Sequence, residues 1–289
     1  KSVEETQKPF RTIAILGLGL IGGSLAKAAR AKKACDAIVG WSHHDESREL
    51  ALQSKIVDAT VDSIEQAIAD ADLVILCTPV NQIAKALTKL GSLIKPGTIV
   101  TDVGSTKRTI VKAGEKNIVS PSAFVGSHPM TGSERSGLAA SKAELFQDAL
   151  CLLTPTEQTD KSALARVEEF WQALGCRTSK LGPADHDRLM SDISHLPHAL
   201  AAALIAMQDD RALAIAGPSF RDLTRIAASD PALWREIFLD NTDSAIRSID
   251  RCVAWLRDFR TALQANDGGK LETMLTASSK RRQSMTRTS

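Results

Sequence analysis

A glycine cluster near the start of the chain constrains its fold more than any other feature. Gly17-Leu18-Gly19-Leu20-Ile21-Gly22-Gly23-Ser24 follows the β-branched, apolar run Thr12 to Leu16 and opens a segment with helical spacing. This is G-x-G-x-x-G set between a strand and a helix. Gly17 permits the tight turn, Gly19 lets the backbone approach a pyrophosphate, and Gly22 allows close helix–strand packing. The amides and dipole at the helix start, around Leu20 and Ile21, then hold the anion. Glycine turns alone are common, so the weight lies in strand, glycines and helix coinciding with a βαβ unit behind them.

Further apolar runs follow at Ala37 to Trp41, Leu73 to Thr78 and Thr98 to Asp102, with shorter ones at Phe124 to Ser127 and Leu150 to Thr154. Leu73 to Thr78 is continuous, without alternation, as a strand buried on both faces should be. Helical spacing fills the gaps, as at Ser24 to Arg30, Ser63 to Ala69 and Gln82 to Leu90. The expected fold class is α/β, with a Rossmann-type doubly wound parallel sheet over residues 1–182. After Pro183 glycine thins out and the strand runs stop. Two long helical stretches remain, Asp185 to Met207 with Pro197 inside it, and Pro231 to Leu263. An all-α C-terminal domain over 183–289 follows. Its apolar surface exceeds what one small bundle needs, so a homodimer through it is expected.

Composition narrows the partners. The 289 residues carry a net charge of +2, with 43% hydrophobic and 24% charged side chains. Neither nucleic acid nor a membrane surface is expected as a partner, which leaves a small-molecule substrate. The five cysteines form no CxxC pair and read as reduced thiols. No stretch reads as the roughly 18 apolar residues of a membrane span. The polar start, Lys1 to Lys8, lacks the apolar core of a signal peptide, and cytoplasm is the expected location.

The second strand run ends Gly40-Trp41-Ser42-His43-His44-Asp45. An acidic residue there would read the ribose 2′-hydroxyl of NAD. Ser42 stands nearest that position and is not acidic. Ser42, His43 or His44 could accommodate a 2′-phosphate instead, and Asp45 could reach back as the acid, so NAD and NADP both stay open. Thr78-Pro79 at the third run's end suits a loop passing under the nicotinamide. It also suits a plain strand stop.

Two loops carry polar residues where α/β sheets place chemistry: Asp102 to Lys107, and Gly126 to Gly137. Oxidising an alcohol with a nicotinamide cofactor requires a base for the hydroxyl proton, and histidine, with an ordinary pKa of about 6.5, suits the role. Of the six histidines, only His128 stands at a strand end of the nucleotide-binding domain with a glycine-rich loop behind it. Ser105 either caps the following helix or meets substrate. His195 and His198, three apart on one helix face, have metal-ligand spacing, but no third ligand suggests itself and no metal is expected. Pro197 between them should kink that helix.

The segments Asp102-Val103-Gly104-Ser105-Thr106-Lys107, Gly126 to Gly137, Ser194 to Ala199 and Phe220 to Ala227 run in the order of the prephenate/arogenate dehydrogenases, and together the chain resembles that family. Ser229-Asp230-Pro231 and Trp234 extend the likeness. The resemblance implies oxidation and decarboxylation of a cyclohexadienol on the route to tyrosine. It implies that His128 takes the ring hydroxyl proton and that Ser105 helps fix His128 and that hydroxyl. Arg225 would bind a substrate carboxylate; without the likeness it would pass for a surface salt-bridge partner. His198 would enter the pocket from the helical domain, with Ser133 and Glu134 at its mouth. Asp222 and Trp234 would support the pocket. The expected cofactor-binding set is Gly17, Gly19, Leu20, Ile21, Gly22, Ser42, Thr78 and Pro79. A β-hydroxyacid dehydrogenase is the rival enzyme, but it would place a catalytic lysine in the helical domain, and residues 185–207 hold none. A non-catalytic NAD(P)-binding sensor is the other rival; Ser105, His128 and Arg225 together argue against it.

Overall fold

In a computed structural model, residues 8–132 and 135–285 are described. β1 (Thr12–Leu16) leads through the glycine loop into α1 (Leu20–Ala31), β2 (Ala37–Trp41), α2 (Asp45–Gln53), β3 (Ala59–Thr60) and α3 (Ile64–Ile68). β4 (Leu73–Leu76), α4 (Val80–Leu90), β5 (Ile99–Asp102), α5 (Arg108–Asn117) and β6 (Ala123–Val125) complete a six-stranded sheet in the order β3-β2-β1-β4-β5-β6. All five pairings are parallel, so the sheet is doubly wound about β1 and β4. All four residues of β4 are buried, as an unalternating apolar run requires.

At Gly126 the chain leaves this sheet. A Cβ there would stand 2.4 Å from Thr154 Oγ1 and 2.8 Å from Val111 Cγ2, so the crossing admits only glycine. β7 (Ser127–Pro129), β8 (Leu150–Leu153) and β9 (Arg177–Lys180) form a second small sheet, with α6 (Lys161–Ala173) between the last two strands. β7 pairs antiparallel with β8, setting His128 opposite Leu152. The run expected as one strand over Phe124 to Ser127 is therefore two strands in two sheets, and His128 lies on a strand, not a loop.

α7 (Pro183–Met190), a π-helical turn at Ser191–His195 and α8 (Leu196–Ala206) form one helical run. Pro197 falls in the first turn of α8, where its missing N–H matters least, and the π turn just before it re-registers the backbone. By length and composition these 24 residues, Pro183–Ala206, would pass for a membrane span, which corrects the reading that no stretch approaches one. The Ala- and Leu-rich half raises its hydropathy, yet the run also buries His186, Asp187, Ser191 and His195. α9 (Asp210–Ala214), α10 (Pro218–Thr224) and α11 (Pro231–Asp240) follow, the last capped by the Asp230 carboxylate accepting from the Ala232 amide at 2.9 Å. The single helix expected over Pro231 to Leu263 is broken at Asn241, whose buried side chain is committed to hydrogen bonds with Asp187 and His195.

The chain divides into two compact units, the first ending at Asn241 and the second beginning at Thr242. The second comprises α12 (Thr242–Gln264) and α13 (Gly268–Met285) packed together. Its long helix exposes Ile246, Ile249, Val253, Leu256 and Leu263, an apolar stripe at helical spacing.

Candidate active site

The parallel strands β1, β2, β4 and β5 all end at one edge of the large sheet, and the loops after them carry the glycines, Ser42, Thr78-Pro79 and Ser105. Gly17 has φ +113°, and a Cβ there would stand 2.7 Å from the Cys77 carbonyl oxygen, so the turn requires glycine. At Gly22 a Cβ would come 1.9 Å from the Gly17 carbonyl oxygen. Gly19 differs: nothing lies within 4 Å of where its Cβ would be. It caps α1, and its own side is bare, with no side chain accepting from the first turn. The result is an open cradle over the amides around Leu20 and Ile21, which have no partner inside the helix.

Beside it, Thr78 Oγ1 at the end of β4 is buried without a hydrogen-bond partner. Pro79 starts α4. A buried hydroxyl left unmatched at the sheet edge and an open glycine cradle both fit a bound dinucleotide. At the end of β2, Ser42 is buried, with its Oγ accepting from the His44 amide at 3.3 Å and its carbonyl from Arg48 Nη1 at 2.6 Å. Asp45 does not reach back to this position; it pairs with Arg48 at 2.7 Å.

A cavity of about 470 Å³ brings Ser105, His128, His195, Arg225, Asp230 and Trp234 together. Strand β7 holds His128 partly buried, and its Nδ1 meets His186 Nε2 at 2.9 Å. His186 Nδ1 in turn meets Asp187 Oδ1 at 2.9 Å. Asp187 accepts from the amides of Lys107 at 2.7 Å and Arg108 at 3.0 Å, so this carboxylate from α7 caps α5. The capping role open to Ser105 is thus filled by Asp187, whose carboxylate reaches both amides. Asn241 Nδ2 donates to the Asp187 carbonyl at 2.7 Å. Behind β7 lies a fully buried Lys107–Asp102 ion pair, with Lys107 Nζ also donating to the Ser127 carbonyl at 2.8 Å.

Burial pushes His128 well below its ordinary pKa, and the nearby His186, Lys107 and His195 push the same way. His195 is lowered to about 4, again by burial first. Burial also lowers His186, against the upward pull of Asp187. Burial alone would raise Asp187; the hydrogen bonds from His186 and the two amides overcome it and hold the carboxyl below its usual value. The centre at neutral pH is therefore two neutral imidazoles in line with one carboxylate.

One expected residue falls elsewhere. His198 does not line the cavity: its ring is stacked on Trp234, centroids 3.6 Å apart and 11° from parallel, so the indole faces the space and the imidazole lies behind it. Trp234, expected only as support, lines the cavity itself. Ser133 and Glu134 lie outside the described residues. His186, Asp187 and Asn241 were not singled out, and His195 was weighed only as a metal ligand. Their hydrogen-bond partners across the fold stand 46 or more residues away along the chain, at separations that local pattern does not encode. The one available signal was the adjacent His-Asp pair at the start of a helix.

A dinucleotide cradle at the switch point of a doubly wound sheet, with a neutral imidazole in a neighbouring cavity, defines the class: a two-part nicotinamide-dependent oxidoreductase. Residues 25–180 match the family model described as prephenate dehydrogenase, nucleotide-binding domain, and residues 182–277 the one described as prephenate dehydrogenase, dimerization domain. A cyclohexadienyl dehydrogenase of Zymomonas mobilis is 38% identical over 272 residues, covering 91% of this chain and 92% of that protein. A prephenate dehydrogenase of Bacillus subtilis is 37% identical, covering 90% of this chain and 72% of that protein. The crystal structure of prephenate dehydrogenase from A. aeolicus with hydroxyphenyl propionate and NAD+ matches with a TM-score of 0.88 at 32% identity, covering 95% of this chain and 98% of that one. The chain belongs to the prephenate dehydrogenase family. Its resemblance to a 3-hydroxyisobutyrate dehydrogenase, with a TM-score of 0.59 at 14% identity, is one of fold alone.

Proposed function

We propose that this chain oxidises and decarboxylates prephenate, or its amino counterpart arogenate, with NAD(P)+, on the route to tyrosine. The observation that carries the reading is that His128 and Arg225 line one cavity at the carboxyl edge of a dinucleotide-type sheet. The relatives support it: the A. aeolicus prephenate dehydrogenase was crystallised in complex with hydroxyphenyl propionate and NAD+, and a Synechocystis arogenate dehydrogenase is 31% identical with a TM-score of 0.82.

Gly17, Gly19, Leu20, Ile21 and Gly22 would hold the pyrophosphate, Ser42 would face the ribose, and Thr78 and Pro79 would border the nicotinamide. When bound, the cofactor supplies a hydride acceptor. His128 Nε2 takes the proton of the ring 4-hydroxyl as that carbon becomes a carbonyl. The dienone so formed carries a carboxylate on the opposite ring carbon. Loss of CO₂ sends that electron pair into the ring, and the carbonyl accepts it as the ring becomes aromatic. Neither a metal nor a second base is required by this electron flow. Arg225 binds a substrate carboxylate through its fork, and Ser105 meets the ring hydroxyl. Ser133 and Glu134, which lie outside the described residues, and His198 acting through Trp234 complete the proposed set. A homodimer through the helical region and a cytoplasmic location belong to the same reading. They are supported by the exposed α12 stripe and by five cysteines that form no disulfide.

The test is product analysis. Prephenate with cofactor should yield CO₂ and 4-hydroxyphenylpyruvate in equal amounts with the reduced cofactor, or arogenate should yield tyrosine likewise. Reduced cofactor without CO₂ would point to an ordinary alcohol dehydrogenase.

A further inference from the structure

We infer that His186 and Asp187 form a positioning pair that fixes His128 in the tautomer a base requires, with the proton on Nδ1 and the lone pair on Nε2. The inference rests on the assignment of His128 as the base in the reaction proposed above; the hydrogen-bond logic itself does not need turnover.

The argument starts at Asp187. Its Oδ1 accepts from the Lys107 amide at 2.7 Å, and its Oδ2 accepts from the Arg108 amide at 3.0 Å and from Arg108 Nε at 3.3 Å. Three donors on one carboxylate keep it charged, an acceptor with no proton to give. His186 Nδ1, 2.9 Å from Oδ1, must therefore be the donor in that contact. A neutral imidazole carries one proton, so His186 Nε2 is left with a lone pair. His128 Nδ1 lies 2.9 Å from that lone pair and must donate to it. By the same count, His128 Nε2 is left bare and able to accept a proton. Each step leaves one arrangement, because the opposite tautomer of His128 would set two lone pairs against each other in a buried contact.

The pair has a second consequence. When His128 Nε2 takes a proton, the imidazolium stands one neutral ring away from the Asp187 carboxylate, which favours the charged state without letting the carboxylate touch substrate. His186 and Asp187 are fully buried, so the line is shielded from water and from exchange with bulk acid. Asn241 closes the far side by donating to the Asp187 carbonyl at 2.7 Å, holding the helix turn that carries both residues.

The experiment combines ring-nitrogen NMR with kinetics on the full chain. Histidine labelled with ¹⁵N, with His128→Asn used for assignment, should show His128 protonated at Nδ1 and bare at Nε2 in the wild type. In His186→Leu that preference should be lost. A histidine frozen in the wrong tautomer costs ~10⁴ in rate in a serine-protease triad. Losing the lock while the right tautomer stays populated should cost less, roughly 10²-fold in kcat, with KM and cofactor Kd nearly unchanged. His186→Gln places an acceptor near the site of Nε2 and should restore kcat to within roughly tenfold of wild type. An Nε2-protonated His128 in the wild type would overturn the inference, as would a His186→Leu variant with unaltered tautomer and rate. Equal damage in Leu and Gln variants would do the same, since packing alone would then explain the loss. The spectrum reads the tautomer even if neither prephenate nor arogenate reacts, so failure of the functional proposal stays distinguishable.

Discussion

At the scale of single residues, the chemistry turns on keeping an imidazole neutral. His128 has its pKa held well below the ordinary value by burial and by the adjacent His186, Lys107 and His195, so its lone pair survives into mildly acid solution. The sign follows directly: kcat should hold as pH falls past about 6.5 and drop only at distinctly lower pH. A rate that titrates with a midpoint near 6.5 would mean that the working histidine is not in this environment. His128→Asn should lower kcat by roughly 10²-fold or more while leaving cofactor Kd, measured by fluorescence titration, unchanged. Arg225→Ala should act on the other half of the substrate, raising KM with a smaller effect on kcat; an unchanged KM would remove Arg225 from the carboxylate.

At the scale of elements, the glycine loop separates packing from binding. A Cβ at Gly22 meets a carbonyl oxygen at 1.9 Å, whereas one at Gly19 meets nothing within 4 Å. Gly22→Ala should therefore lower the melting temperature as well as cofactor affinity. Gly19→Ala should leave the melting temperature alone and still weaken binding, because its methyl enters the space the pyrophosphate approaches. Equal melting and equal Kd for Gly19→Ala and wild type would place the cofactor elsewhere. The same loop shows why this part was legible in the sequence: strand, turn and helix start are all local, and Thr12–Leu16, Ala37–Trp41 and the β4 run were found within a residue or two. The step at Gly126 was not, because a move between sheets depends on what Thr154 and Val111 leave room for. The break at Asn241 was hidden for the same reason, since a single polar residue ends the helix only by bonding to Asp187 and His195 far away in the chain. Ser105, His128 and Arg225 could be named from sequence because they sit in short motifs. The His186–Asp187 pair could not, because its function exists only once α7 meets β7 and α5.

At the scale of the molecule, the buried histidines tie stability to pH. The folded chain holds His128, His186 and His195 neutral where the unfolded chain would protonate them, so between about 6.5 and the lowered values the unfolded state binds more protons. Stability should fall as pH drops through that window, reaching down to about 4 for His195, and thermal melts across it should show the loss. A melting temperature flat from neutral pH to about 5 would contradict those burial effects. The exposed α12 stripe makes a second claim at this scale: the chain should sediment as a dimer, and Ile249→Glu should shift it towards monomer. The most direct test of the central claim is the near-ultraviolet absorbance of the reduced nicotinamide, followed with prephenate and with arogenate, each with NAD+ and with NADP+. Turnover in at least one of the four mixtures, lowered roughly 10²-fold or more by His128→Asn, is the expected result, and it would also fix substrate and cofactor together. No absorbance change in any mixture, with cofactor binding still detectable, would contradict it.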